Sequence, residues 1–224
     1  MRNKLNQFGL LVVGALIGVA VGLLCLGLRS VGVPDLAAAA LALGASAIMT
    51  GALHEDGLAD VADGFGGGRS LESKLEIMRD SRLGTYGAMI LLVSFAAKLS
   101  ALAAIPDGYV VSCLIAAHAL GRGILPAMSL NLPYARKDGL ARNAGQPDAA
   151  TAAIAGGLAL LIALLSLSWS NAFFAAVLAG LSGLAVAWLA LRQIGGQTGD
   201  VLGGAEQVAE TAILVLLAAR LAQP

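Results

Sequence analysis

The chain has 224 residues, 58% apolar and 12% charged, with a formal net charge of zero and a mean hydropathy of +0.83. This balance lies outside that of soluble domains and identifies a membrane protein. Zero net charge excludes nucleic-acid binding through a broad basic surface. Cys25 and Cys113 lie far apart inside apolar runs, which suggests neither a disulfide framework nor a thiolate metal site.

In chain order, Arg2 and Lys4 precede an uncharged run from Phe8 to Leu28. That run exceeds a signal-peptide core and comes close to the roughly 20 residues needed to cross a bilayer, so it is expected to be a retained span. Further apolar segments follow at 36–53, 86–105, 109–130, 149–168, 172–191 and 209–222. The expected fold is therefore all-α, a polytopic membrane helix bundle of about seven transmembrane helices, with about six as the alternative because the last segment is short. Alanine- and glycine-rich runs such as "LAAAALALGASA" suit close helix packing in lipid.

Between the spans lie polar segments at about 54–85, 131–148 and 192–208 within a single domain, 1–224. With the N-terminus inside, one side carries Arg2, Lys4, Arg69, Lys74, Arg79, Arg82, Arg136, Lys137, Arg142 and Arg192, and the other only Arg29 and Arg220. Positively charged loops stay cytoplasmic, so all three polar segments are expected on the cytoplasmic face. Lys98, His118 and Arg122 fall inside spans. His118 and Arg122, four apart, share a helix face and line a polar recess in one reading; in the other, Lys98 and Arg122 snorkel to the interface.

The first polar segment, "LHEDGLADVADGFGGGRS" at 53–70, concentrates charge directly after an apolar run. Asp56, Asp60 and Asp63 are spaced i, i+4, i+7, which puts three carboxylates within about 60° of arc on a helix. Like charges so placed repel unless a cation sits among them, and hard oxygen donors without cysteine suit Mg²⁺ or Mn²⁺. The EF-hand pattern for Ca²⁺ is absent, and one histidine beside aspartates is a poor zinc site. A solvated acidic helix face is the plainer alternative. "GFGGG" lacks the lysine of a P-loop. In "KLEIMRDSRLGTYG" at 74–87, Arg79 and Arg82 offer guanidinium forks for phosphate oxygens, with an interfacial amphipathic helix as the alternative. "GGQTGDVLGGAEQVAE" brings a glycine loop with Asp200, then Glu206 and Glu210; Asp200 joins the metal site or positions a substrate hydroxyl. Metal-binding carboxylates, arginines and glycine loops are the parts for transfer at a diphosphate.

The stretches "TGALHEDGLADVADGFGGG" at 50–68, "KLEIMRDSRLGTYG" at 74–87, "RGILPAMSLNLPYARKDGL" at 122–140 and "GGQTGDVLGG" at 195–204 resemble the cobalamin synthase family, the adenosylcobinamide-GDP ribazoletransferases. The resemblance spans most of the chain. It implies an integral enzyme of the bacterial inner membrane that uses Mg²⁺ and joins adenosylcobinamide-GDP to alpha-ribazole, or its 5'-phosphate, releasing GMP. By motif, Asp56, Asp60 and Asp63 hold Mg²⁺ against the diphosphate, with Arg79 and Arg82 on phosphate oxygens. Asp63, Asp80, Asp200 and His54 are the catalytic candidates. Arg122, Asn131, Arg136, Gln197 and Thr198 are the substrate-binding ones. The implied partners are these two substrates and membrane lipids, with no nucleic acid; association with other corrinoid-assembly enzymes is compatible with catalysis. Members begin with a further segment of about thirty residues, whereas this chain starts almost at the first span. The alternatives are a CDP-alcohol-type phosphotransferase and, from another class, a cation or corrinoid transporter, against which the juxtamembrane acids and the lack of an internal repeat both speak.

Overall fold

The structure, a computed structural model, describes residues 2–139, 142 and 145–221, with side chains from residue 12 onward. The side chains of Arg2 and Lys4, and residues 140, 141, 143 and 144 of the second polar segment, lie outside that description. The described residues form helices α1 (Arg2–Ser30), α2 (Asp35–Thr50), α3 (Leu53–Gly67), α4 (Leu71–Ile77), α5 (Thr85–Ala104), α6 (Asp107–Gly123), α7 (Leu125–Asn131), α8 (Ala149–Ser166), α9 (Trp169–Ile194) and α10 (Gly199–Leu221). Among them, β-pairing is limited to one isolated parallel bridge, Tyr134 to Gln197. The chain is an all-α polytopic bundle, as expected.

Six helical segments are long and apolar enough to cross a membrane: Val12–Ser30, Thr85–Ala104, Asp107–Asn131, Ala149–Ser166, Trp169–Ile194 and Gly199–Leu221. A seventh crossing is broken. α2 and α3 pass the same test only together, and they are bent by 90°. The break sits where Gly51 and Ala52 both adopt left-handed backbone, at φ 63 and 53. For alanine that conformation costs about 1–2 kcal/mol. α3 therefore turns away from the direction of α2 and lies outside the six segments that pass alone.

Burial divides the helices into two classes. In α6–α7 and in α10, 67% of the span is buried, against 28% to 33% in α1, α5, α8 and α9. The two central helices carry most of the buried charges, and the peripheral ones turn Leu16, Leu23, Leu165, Phe173 and Leu184 outward. This suits a bundle whose solvent is hydrocarbon, where backbone contact between small residues replaces the hydrophobic effect as the packing force. Ala155, Ala159 and Ala163 on α8, and Ala172, Ala175 and Ala179 on α9, are wholly or almost wholly buried at three- and four-residue spacing. On α1, a Cβ at Gly18 would lie 2.7 Å from the Ile115 backbone of α6, so this crossing needs glycine. Cys25 and Cys113 are free and buried.

The polar segment expected at 192–208 is largely helical. α10 begins at Gly199, ten residues before the expected span at 209. The polarity that marks 200–208 as loop in the sequence belongs largely to side chains that are paired inside the bundle: Glu206 and Gln207 are buried, as is Glu210 just beyond.

Candidate active site

α3 separates two ionic clusters. Its inward side, with buried Leu58 and Val61, packs on α10, and Gly57 makes the approach close: a Cβ there would lie 2.8 Å from the Asp200 carbonyl oxygen. Asp60 stands where α3, α10 and the segment before α8 meet. Its carboxyl is pushed up to about 7 by burial, then by the neighbouring Asp56 and Asp200 carboxylates, with Arg136 pulling the other way. Asp200 Oδ2 accepts from Thr198 Oγ1 at 3.2 Å and faces the Arg136 guanidinium at 3.3 Å. Four groups from three chain segments thus share one region of the bundle end.

Asp63, expected beside Asp56 and Asp60 as a ligand and catalytic group, is engaged elsewhere. It is buried, and its carboxylate accepts the backbone N–H groups of Gly84 at 2.7 Å and Gly87 at 2.8 Å. The anion closes the N-terminus of α5, where free N–H groups and the helix dipole favour negative charge. A Cβ at Gly84 or at Gly87 would run into the same carboxylate, which explains the two glycines of "LGTYG".

The other expected residues divide clearly. Arg79 pairs with Asp138. Arg82, almost fully exposed, pairs with Asp80 two residues back, and this partner holds the Asp80 carboxyl below its ordinary range. Neither arginine pair is drawn to the aspartates of α3. Arg136 is the basic residue that meets them, and it also donates to the Leu75 carbonyl at 3.4 Å, tying this loop to α4. Asn131 Nδ2 donates to Ala127 O at 2.8 Å within its own helix. Gln197 Nε2 donates to Ser129 O at 2.9 Å and Leu132 O at 2.8 Å. That pins the α9–α10 connection to the end of α7, together with Ala135 N–H on Gln197 O and Gln197 N–H on Pro133 O. α4 is started by a capping box in which Ser70 Oγ accepts from Ser73 N–H and Ser73 Oγ from Ser70 N–H, and Lys74 bonds Gln193 of α9.

The second cluster lies deeper, on the opposite side of α3. Arg122 faces Glu206 at 2.6 Å and His118 Nδ1 at 3.0 Å. His118 meets Glu210 at 2.9 Å, and Lys98 bonds Gln207 at 2.7 Å and Glu210 at 3.2 Å. Arg122 and Lys98 are 4% and 5% exposed, so they do not snorkel; they line the polar recess. His54 points here, with Nδ1 3.4 Å from Arg122 and 3.5 Å from Glu206. Burial, then the Arg122 charge, lowers it to about 4, so the contact with Glu206 is a neutral imidazole's. Among the described residues, His118, Glu206 and Glu210 are the one trio of metal-ligand side chains whose donor atoms lie within 4.8 Å of one another; the α3 aspartates do not converge that tightly. Arg122 and Lys98 already supply two positive charges to that buried trio, so it reads as an ionic lock between α5, α6 and α10. Sequence reading noted its acids and bases separately, since their pairing lies between helices far apart in the chain.

Beside Asp200 opens a cavity of about 200 Å³ lined by Tyr134, Arg136, Arg142, Gln197 and Thr198, among others. The arrangement can hold a phosphorylated substrate: a polyanion-compatible arginine, carboxylates for a hard cation and a recess for an attached group lie side by side.

A family model described as cobalamin-5-phosphate synthase matches residues 6–218. The chain is 49% identical over 209 residues to a protein of Bradyrhizobium diazoefficiens named adenosylcobinamide-GDP ribazoletransferase, covering 93% of this chain and 80% of that one. Proteins of the same name from Mesorhizobium japonicum and Sinorhizobium medicae are 51% identical over 180 residues and 43% identical over 215. These cover 80% and 92% of this chain, and 69% and 82% of theirs. No solved structure matches it.

Proposed function

Because the chain belongs to the cobalamin-5-phosphate synthase family, we propose that it joins adenosylcobinamide-GDP to alpha-ribazole, or to its 5'-phosphate, and releases GMP. A hydroxyl oxygen of the ribazole ribose forms the new bond to the phosphorus on the cobinamide arm, the bond from that phosphorus to the GMP oxygen breaks, and the hydroxyl loses its proton. The observation that carries the reading is the meeting of Asp56, Asp60, Asp200 and Arg136 at one end of the bundle beside an open recess.

The oxygen donors there fit Mg²⁺, and Asp60, raised by burial and then by its like-charged neighbours, is the group such a cation would relieve. Asp56 and Asp60 would hold it, with Asp200 alongside. Bound there, it neutralises diphosphate charge. Arg136 contributes fixed positive charge for phosphate oxygens. Asp200 uses Oδ2 for Thr198 and Arg136, and Oδ1 takes the proton of the attacking hydroxyl. Asp63 acts indirectly, by fixing α5 against α3. The lysine and arginine bias of the sequence supports a cytoplasmic site in the inner membrane.

Purified protein in lipid nanodiscs, given adenosylcobinamide-GDP, alpha-ribazole and Mg²⁺, is expected to release GMP and form the cobamide only when all three are present. A CDP-linked alcohol is the control donor. GMP release unaffected by Asp56→Asn combined with Asp60→Asn overturns the site.

A further inference from the structure

We infer that the cavity beside Asp200 seats the guanine base of the nucleotide donor and reads its hydrogen-bonding edge. This deepens the reaction proposed above and rests on it. The observation is a convergence of unpartnered polar atoms: Tyr134 Oη, Arg136 Nε and Gln197 Oε1 are buried without hydrogen-bond partners, and all three residues line this one cavity. Buried polar groups are ordinarily paired, so three orphans carried by residues of one cavity wall point to a ligand that supplies their partners as it settles in.

The orphans also have a polarity. Gln197 spends both amide hydrogens on the Ser129 and Leu132 carbonyls. Flipping the amide would set its oxygen against two carbonyl oxygens, so Oε1 is locked as an acceptor. Its partner must therefore be an N–H or O–H. Arg136 Nε is a donor, and the Arg142 guanidinium, held 5.6 Å from the Tyr134 ring centroid, is another. One locked acceptor and two arginine donors on the residues that line a single cavity form a set that complements guanine, whose N1–H and N2 amino group donate while O6 and N7 accept from an arginine fork. Adenine reverses the pattern at N1 and C6. The methylated benzimidazole of ribazole carries no N–H at all, so only its sugar hydroxyls could satisfy Gln197. At about 200 Å³, the space is below the roughly 300 Å³ of sites that hold whole drug-sized ligands. It suits one part of a substrate, and Asp200 at its edge places that part next to the reacting phosphates.

The test uses full-length protein in nanodiscs with Mg²⁺ and measures equilibrium binding of GMP, IMP and AMP. GMP is expected to bind at least roughly tenfold more tightly than AMP, with IMP, which lacks the N2 amino group, between them. Tyr134→Phe, which removes only the hydroxyl, and Arg142→Gln are expected to weaken GMP several-fold while leaving AMP unchanged. The nucleotide series on unaltered protein does not depend on any variant folding. Equal binding of all three nucleotides by a protein that turns over would overturn the guanine assignment and leave the reaction standing. Absence of turnover with the GDP donor would overturn both.

Discussion

Replacing Asp63 by asparagine separates a helix clamp from a metal ligand. In the native protein two short hydrogen bonds, at 2.7 and 2.8 Å, run from the α5 N-terminus to one buried anion. A hydrogen bond to a charged partner contributes about 1.5–3 kcal/mol. The asparagine oxygen keeps one of the two as a neutral bond worth about 1 kcal/mol, while its NH₂ faces the other backbone N–H and leaves it unpaired at about 1–3 kcal/mol. The net loss is at least about 3 kcal/mol, a fall in Tm of at least roughly 6 °C for a chain of this size. Thermal unfolding in detergent, without added metal, reads it. Mg²⁺ binding by the folded fraction is expected to persist within a few-fold. A shift below about 2 °C together with loss of Mg²⁺ binding would refute the clamp and return Asp63 to the metal.

Asp60→Asn should show the converse, a Tm unchanged or raised, since it removes a crowded charge, with Mg²⁺-dependent GMP release falling at least about a hundredfold. Gly87→Ala, whose Cβ would meet the Asp63 carboxylate, should lower Tm about as much as Asp63→Asn. Arg122→Gln leaves Glu206 buried without its cation and should cost about 3–5 kcal/mol, read as loss of folded protein in detergent. The pH dependence follows from His54, which faces Arg122, Glu206, Glu210, His118 and Glu55. Its folded pKa of about 4 lies below the ordinary 6.5, so the unfolded chain binds more protons between these values. Stability is full above pH 6.5 and falls by up to about 3 kcal/mol as the pH drops to 4. Asp60, raised to about 7, has the opposite slope in that window, so the fall should emerge most clearly in Asp60→Asn, measured by Tm against pH.

The sequence made the bundle legible because spans and loops differ so sharply in polarity, and made Asp56 and Asp60 legible because four-residue spacing fixes a shared helix face. It could not separate Asp63 from them. The same periodicity that aligns it with its neighbours says nothing of Gly84 and Gly87, whose backbone amides reach it from across the chain. Glu206 made a helix look like a loop for a related reason. Charge signals water unless its partners are known, and here the partners sit on α5 and α6. Tyr134 and Arg142 carried no signal, since their meaning comes from the bridge to Gln197 rather than from any local pattern.

The bend after Thr50 leaves α2 with 16 residues, a reach of about 24 Å against a hydrocarbon layer of about 30 Å. The 20 residues of α5 match that layer. A bilayer facing both helices meets a shorter apolar length on the α2 side, which thinning of the lipid or snorkelling of flanking residues accommodates, and between the helices lies a cleft lined by Glu55, Lys98 and Gln207 among apolar side chains. Reconstitution in lipids of shorter acyl chains is expected to ease that mismatch, and longer chains to add to it.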